Sequence, residues 1–379
     1  MRIYQIGKPK DKAKYLKNLD LDSGGVNIIA KKMELLFIKI EEIKTPAINI
    51  LKQDALSIGA EVAAPSGVIV CKKEYDECLL IGTKRQLEYL TKKLKAQPFG
   101  LKQVALKIEE FLDPKSFDIK IMGVLNINSD SFYSGSRFSQ SEAVKKIEQM
   151  VDDGANIIDI GAVSSRPGSS AVSADEELNR IKELLDIIKS QKLYNLATFS
   201  IDSYSPKVIE YALNCGFSLI NDITGARDEK VIKLAKEYNS KLCIMHMQGT
   251  PKTMQINPTY ECVTTEVDDF FAKQITKCEE IGLSKEQIIL DVGIGFGKSL
   301  EHNITLLKNH QHFTHFGCEL LIGASRKSMI DKIYPSSVEE RLPGTLAIHL
   351  KAIERGASIV RCHDVKEHAQ AIAVLNEIL

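Results

Sequence analysis

A dominant charge of one sign is the first thing this sequence lacks. Its 379 residues carry 50 Lys plus Arg against 50 Asp plus Glu, so no global field draws the chain to nucleic acid or to an anionic membrane. Any phosphate recognition has to be local. Long apolar runs are missing too: nothing approaches the roughly 20 uninterrupted apolar residues of a spanning helix, and the opening Met1 to Lys8 holds no apolar signal core. The expectation is a soluble protein of the cytoplasm. Cysteine pairs of the C-x-x-C kind are absent, and the eight cysteines (Cys71, Cys78, Cys215, Cys243, Cys262, Cys278, Cys318, Cys362) sit mostly in apolar segments. A reduced thiol packs there as a small hydrophobe, which argues against a zinc or disulfide framework. Two nucleotide signatures also fail in Asp291-Val-Gly-Ile-Gly-Phe-Gly-Lys298-Ser299. Val292 stands where a P-loop needs glycine, and a dinucleotide fingerprint needs its third glycine one residue beyond Gly297.

What is present, from Ile119 onward, is a repeat of short β-branched run, polar turn and helical stretch. The strand candidates are Ile121–Ile127, Asn156–Gly161, Thr198–Asp202, Ser218–Asp222, Leu242–Met247, Ile288–Val292, Leu320–Ala324 and Ser358–His363. Near-continuous apolar runs of this kind suit parallel strands buried on both faces. Helical stretches lie between them, among them Ser141–Asp153, Ala174–Lys189, Pro206–Cys215, Val267–Ile281 and Val338–Arg355, with Ser205-Pro206 as a cap signal and Gly154, Gly216, Gly282 and Gly356 at helix ends. Eight such units predict an α/β fold, a (β/α)8 TIM barrel over residues 119–379.

Residues 1–112 lack this rhythm. They read as a small α+β N-terminal domain of unknown role, with strands at Val68–Cys71 and Cys78–Ile81 and helices at Lys84–Lys95, capped by Thr83, and Leu101–Phe111. Residues 113–118 follow as a linker in which Pro114 forbids helix continuation.

Polar residues cluster at the ends of the proposed strands: Asn126, Asp159, Asp202, Asn221 with Asp222, Met245-His246, Asp291, Ser325-Arg326-Lys327, and Arg361 with His363. That end of a barrel carries its chemistry. One aspartate after one strand is as readily a turn cap; eight polar strand ends converging on one mouth are a site. An anion is indicated by Arg166 in Ser165-Arg-Pro-Gly168, by the helix start at Ser325-Arg-Lys-Ser328, and by Arg361 and His363 after the last strand. The glycines after Asp291 are expected to let the backbone pass close to a flat ligand, with Phe296 as a stacking face; a plain tight turn is the alternative. His310, His312 and His315 have a metal-like spacing, but a surface cluster in the loop before the seventh strand is the better reading. His246 receives no chemical role.

Together these segments resemble the dihydropteroate synthases, pterin-binding TIM-barrel enzymes. The resemblance rests on Ile121-Met-Gly-Val-Leu-Asn126 with Asp130-Ser-Phe132, Asp159-Ile-Gly161 with Ser165-Arg-Pro-Gly168, Ser200-Ile-Asp202, Ile220-Asn-Asp-Ile-Thr-Gly225, Met245-His-Met-Gln-Gly-Thr-Pro251, Asp291 through Lys298, Ser325-Arg-Lys327 and Arg361-Cys-His-Asp364. It covers about residues 118–379 and implies the joining of a dihydropterin hydroxymethyl diphosphate to 4-aminobenzoate, with release of diphosphate. Asp291 and Asn221 would then take the pterin edge, Asp202 the far side of the ring system, and Met245 and Phe296 its faces. Arg166, Ser165, Arg361 and His363 would bind the leaving anion, and Asn126 a Mg2+ ion bridging it. Lys327 would hold the pterin, Ser328 the benzoate carboxylate, and Phe132 would belong to the closing first loop. A homodimer is implied as well. The chain departs from the family pattern at Asn128-Ser129 (usually Thr-Pro), Ser134 (usually Asp), Ser165 (Thr) and Val292 (Pro). Two rivals use the same pterin contacts: a corrinoid methyltransferase, which has no use for an anion site, and a non-catalytic pterin-binding barrel.

Overall fold

The computed structural model describes residues 1–9, 11–127, 137–163 and 172–378, leaving aside the side chains of 137–141. The chain divides into two compact units, Met1–Pro114 and Lys115–Ile378. The first contains α1 (Lys12–Lys17), α2 (Ser23–Ala30), β1 (Leu35–Lys44), α3 (Thr45–Leu56), β2 (Glu61–Ala63), β3 (Tyr75–Thr83), α4 (Lys84–Leu94) and α5 (Leu101–Leu112). Its sheet runs β1-β3-β2, antiparallel throughout, and Leu51, Leu80, Leu87, Leu90 and Leu101 pack into its core. Thr83 caps α4 as expected, in a reciprocal box with Gln86.

One expectation fails in this unit. Val68–Cys71 is not a strand: the chain makes a 3-10 turn at Ser66–Val68, Ile69 and Val70 are 79% and 73% exposed, and Cys71 has φ 50°. The apolar run is too short to outweigh the turn around it. The strand β1 went unread because its first four residues, Leu35 to Ile38, are all apolar although Leu35 and Phe37 are exposed, which hides the period, and a register shift between Ile40 and Ile43, with Glu42 at φ 51°, interrupts it further on.

The second unit is a closed barrel of eight parallel strands: β4 (Lys120–Asn126), β5 (Ile157–Gly161), β6 (Thr198–Asp202), β7 (Leu219–Asp222), β8 (Lys241–Met245), β9 (Ile288–Asp291), β10 (Glu319–Ile322) and β11 (Ile359–Cys362). Each lies within two residues of its expected bounds. The helices are α6 (Arg137–Asp152), α7 (Ala174–Ser190), α8 (Pro206–Asn214), α9 (Glu229–Glu237), α10 (Val263–Ile281), α11 (Leu300–Lys308), α12 (Ser328–Ile333), α13 (Leu342–Glu354) and α14 (Val365–Ile378). The stretch expected as one helix over Val338–Arg355 is a 3-10 turn, Glu339–Arg341, followed by α13, which starts where Pro343 is tolerated. Pro206 does occupy the first turn of α8, but the Ser205 side chain makes no capping bond.

Alternation along the strands positions the site. Successive side chains point to opposite faces, and Met122, Ile157, Leu219, Cys243, Ile289, Leu321 and Ile359 form one buried apolar layer inside the barrel. Two residues earlier on three of these strands stand Lys120, Lys241 and Glu319. Glu319 is 3% exposed and accepts hydrogen bonds from both lysines, closing the barrel floor with charge. Two residues later stand Asp159, Asn221, Met245, Asp291, Gly323 and Arg361. The inward layer next to the mouth is therefore polar, while Phe199, Ile201, Ile220 and Ile244 pack outward against the helices.

All eight cysteines are free thiols, six of them buried. Among the described residues no helix is long and apolar enough to cross a membrane.

Candidate active site

Arg361 organises the mouth. Its Nε donates to Asp159 Oδ2 at 2.7 Å and its Nη2 to Asp202 Oδ2 at 2.7 Å, while Asn221 Nδ2 donates to the same Asp159 oxygen at 3.1 Å. One guanidinium thus ties β11 to β5 and β6, and the amide adds β7. Asp159 is fully buried; the charge is tolerable there only because it is paired and hydrogen-bonded. Burial raises the Asp202 carboxyl, and Arg361 pulls it back down.

Asp291 lies across the opening. Its Oδ1 accepts from the Gly293 N–H at 2.8 Å, and its Oδ2 lies 3.9 Å from where a Cβ on Gly323 would stand, as close to that point as the Arg361 side chain. Burial pushes its carboxyl up, and Lys327 is the first cation drawing it back. Lys327 Nζ donates to the Ile294 carbonyl at 2.5 Å and sits 4.6 Å from the centre of the Phe296 ring. Burial lowers the Lys327 ammonium to about 8, and Asp291 opposes that fall. Phe296 packs against the buried Met245, Met247, Met254 and Ile223. Met245 and Phe296 therefore belong to one apolar wall beside a wall of acids and amides.

The structure brings together Asp202, Asn221, Met245, Asp291, Phe296, Lys327 and Arg361. His363 is exposed at the end of β11. The Ser325 Oγ accepts from the backbone N–H of His363 at 3.3 Å and lies 2.9 Å from its Nδ1, so the hydroxyl holds the ring at the end of β11. Asn126 is exposed at the end of β4, in register with Gly161. Ser328 is exposed in the first turn of α12, a helix of six residues. Arg166, Ser165 and Phe132, with Ser134, lie outside the described residues.

Arg326 is not an anion ligand in waiting. It holds a left-handed backbone, φ 56°, and its side chain grips Asp364 through two hydrogen bonds of 3.0 and 2.6 Å. Behind it runs a buried relay: the Ala324 N–H donates to His349 Nε2 at 3.0 Å, His349 Nδ1 meets His368 Nε2 at 2.9 Å, and His368 Nδ1 meets the Asp364 carbonyl at 2.6 Å. The two end groups fix both tautomers, and the relay locks the loop that presents Lys327 to the end of β11.

Sequence reasoning left out two residues that matter. Asp159 was noted at a strand end but given no role; its inward register beside Asn221 is the signal. Lys298, 2% exposed, donates to the carbonyls of His246, Gly293 and Phe296 at 2.9 to 3.1 Å, and its Nζ lies 2.9 Å from His246 Nδ1. Burial lowers the Lys298 ammonium to about 7 and, with Lys298 beside it, lowers the His246 imidazole to about 3. The lysine braces the β9 turn against the β8 turn. The glycines serve the same contact: a Cβ on Gly293, φ 68°, would stand 2.0 Å from the His246 carbonyl oxygen, and one on Gly297, φ 60°, 2.6 Å from that of Gln248. At Gly293 and Gly297 the close approach is to the neighbouring backbone, as the tight-turn alternative requires. Gly293→Ala should therefore destabilise strongly, since positive-φ strain and overpacking each cost about 1–3 kcal/mol. An unchanged denaturation midpoint would refute the tight-turn account.

With this geometry in place, comparison with known proteins is decisive. The pterin binding enzyme family matches residues 122–363. The chain belongs to that family. Within it the chain is a dihydropteroate synthase: the Escherichia coli dihydropteroate synthase is 42% identical over 260 residues, 68% of this chain and 91% of its own length. A Helicobacter pylori protein named bifunctional dihydropteroate synthase/dihydropteroate reductase is 42% identical over 341 residues, 90% of this chain and 89% of its own. Among solved structures, the Yersinia pestis dihydropteroate synthase in a sulfonamide drug complex superposes with TM-score 0.64 at 35% identity, covering 69% of this chain and 94% of that one. The Thermus thermophilus enzyme in complex with 4-aminobenzoate gives TM-score 0.61 at 33% identity, covering 69% and 95%. Neither the corrinoid methyltransferase nor the non-catalytic barrel is favoured by these synthase relatives.

Proposed function

We propose that the barrel mouth joins a dihydropterin hydroxymethyl diphosphate to 4-aminobenzoate with the division of labour that its two walls suggest. The observation carrying this reading is the inward layer of Asp159, Asp202, Asn221, Asp291 and Arg361 around one opening. A pterin offers an amino-pyrimidinone edge of donors, and a site built to hydrogen-bond such an edge rejects analogues lacking it. Asp291, through Oδ2, and Asn221 take that edge, with Asp202 on the far side, and Met245 and Phe296 cover the ring faces.

In the reaction the arylamine nitrogen attacks the exocyclic carbon, the bond from that carbon to the diphosphate oxygen breaks with its electron pair leaving on diphosphate, and the nitrogen sheds a proton. The amine is already nucleophilic, so no dedicated base is needed. Arg361 and His363, joined by Ser165 and Arg166, bind the departing anion; Asp202 stabilises positive charge on the pterin; Lys327 holds the pterin and faces the second substrate; Ser328 receives the benzoate carboxylate; Phe132 closes the first loop. Asn126 offers Mg2+ one hard oxygen donor, while Asp159 and Asp202 are committed to Arg361. That donor set suits an ion held mainly by diphosphate oxygens and water, which is how magnesium is usually bound; when present it would neutralise leaving-group charge. We further propose a cytoplasmic homodimer, and a monomer mass by light scattering would reject the dimer.

Steady formation of dihydropteroate with equimolar diphosphate release tests the reaction, and binding of both substrates without turnover would refute it. Sulfonamides, as 4-aminobenzoate mimics, should compete with that substrate alone; noncompetitive inhibition would count against the assigned pocket.

A second activity is favoured by coverage. The Helicobacter pylori protein's match extends over 90% of this chain, against 68% for the Escherichia coli synthase, and so reaches into the N-terminal unit. We propose that the full chain also reduces dihydropteroate with an external hydride donor. Reduced nicotinamide, with and without flavin, should be consumed only when dihydropteroate is present; no consumption would remove this activity.

A further inference from the structure

Away from the mouth, α10 and the 3-10 segment His310–Phe316 bring three donors together on the helical layer. A 3-10 helix has about three residues per turn, so side chains three apart eclipse, and His312 and His315 project from the same side. Both imidazoles meet one oxygen of Asp268: His312 Nε2 lies 3.0 Å and His315 Nε2 2.6 Å from Oδ1. The three potential ligand atoms lie within 4.8 Å of one another, the one such group among the described residues. The expected surface cluster is thus divided. His310 is fully buried, 3.4 Å through Nδ1 from the Arg355 carbonyl, whereas the other two converge on a carboxylate 44 residues upstream. Depth is graded across the group: the side chains of His315, Asp268 and His312 are 2%, 12% and 25% exposed.

We propose that Asp268, His312 and His315 form a site for a divalent transition-metal ion of the zinc class, with solvent as the outer ligand on the His312 side. Two imidazole nitrogens and one carboxylate oxygen are a donor set that zinc accepts, and three protein ligands plus a water complete its tetrahedron. Bonds of about 2.0–2.2 Å place tetrahedral donors roughly 3.3 Å apart. The contacts to the carboxylate oxygen therefore have to open, by about 0.3 Å at His312 and about 0.7 Å at His315, and the imidazoles give up the Nε2 protons now aimed at it. Magnesium, which prefers an octahedron of oxygens, is a poor match. The ion ties α10 to the segment that leads into β10. It is separate from the synthase reaction and from the Asn126 end of the mouth.

Cobalt(II) is the probe. Full-length protein stripped with chelator and titrated with cobalt chloride in phosphate-free buffer is expected to bind one ion per chain, with the visible d–d absorption of low-coordinate cobalt, and zinc should displace it. His312→Ala and Asp268→Asn should each weaken that binding by more than about tenfold, leaving far-ultraviolet circular dichroism and synthase turnover unchanged; Asn126→Ala should keep the band. Full-strength cobalt binding in His312→Ala, or no band in the unaltered protein, would overturn the proposal and leave a hydrogen-bonded triad only. Should Asp268→Asn fail to fold, His312→Gln at the exposed rim decides by the same criterion.

Discussion

Arg361→Ala is expected to lose both turnover and stability. The guanidinium pairs with Asp159, which is fully buried, and with Asp202. Removing one partner of a buried pair leaves an uncompensated charge and typically costs about 3–5 kcal/mol. The same change removes a cation facing the leaving anion, a loss of about 10²–10³-fold in rate if it resembles deletion of other preorganised electrostatic groups. A second substitution separates the two effects: Asp159→Asn in the Arg361→Ala background neutralises one stranded carboxylate and should restore part of the stability while turnover stays low. Urea denaturation and steady-state rates measure each. A variant that keeps its stability would show that the two aspartates do not depend on this arginine, and near-normal turnover would remove it from the reaction.

Lys327 supplies the second large effect. Lys327→Met should cut kcat/KM by about 10²-fold, on the scale of a lost electrostatic contact, with a pH signature in the unaltered enzyme. Burial lowers its ammonium from the ordinary lysine value to about 8, with Asp291 holding it up against a further fall. The charged form is therefore present below that pH and lost above it, so kcat/KM should fall as pH rises through about 8. Lys327→Arg keeps its charge throughout that range and should flatten the alkaline fall even if its rate is lower. An alkaline limb unchanged in Lys327→Arg would assign it to another group.

The barrel was legible because its strands are buried on both faces and its polar residues sit where alternation turns them inward. Asp159, Asn221, Met245, Asp291 and Arg361 each follow an inward apolar residue by two positions, a spacing available from the sequence alone. What escaped was held by backbone. Lys298 has carbonyls of two turns and one imidazole for partners, and no residue pattern encodes a carbonyl. The two histidines of the relay behind Arg326 are 19 residues apart on different helices, so neither announces the other. In the N-terminal unit the exposed Leu35 and Phe37 make the start of β1 apolar on both faces, which hides the alternation that would have revealed it. The distant Asp268 turned an apparently superficial histidine spacing into a three-donor group only once α10 had folded beside it.

The central claim is that acids and amides at one barrel opening hold a heterocycle while the arginine beside them faces its leaving group. A crystal structure with a pterin diphosphate analogue measures this directly. The expected density places the ring edge within hydrogen-bonding distance of Asp291 and Asn221, its faces against Met245 and Phe296, and the phosphates toward Arg361 and His363. A pterin bound elsewhere on the chain, or turned so that its amino edge faces away from Asp291, would contradict it.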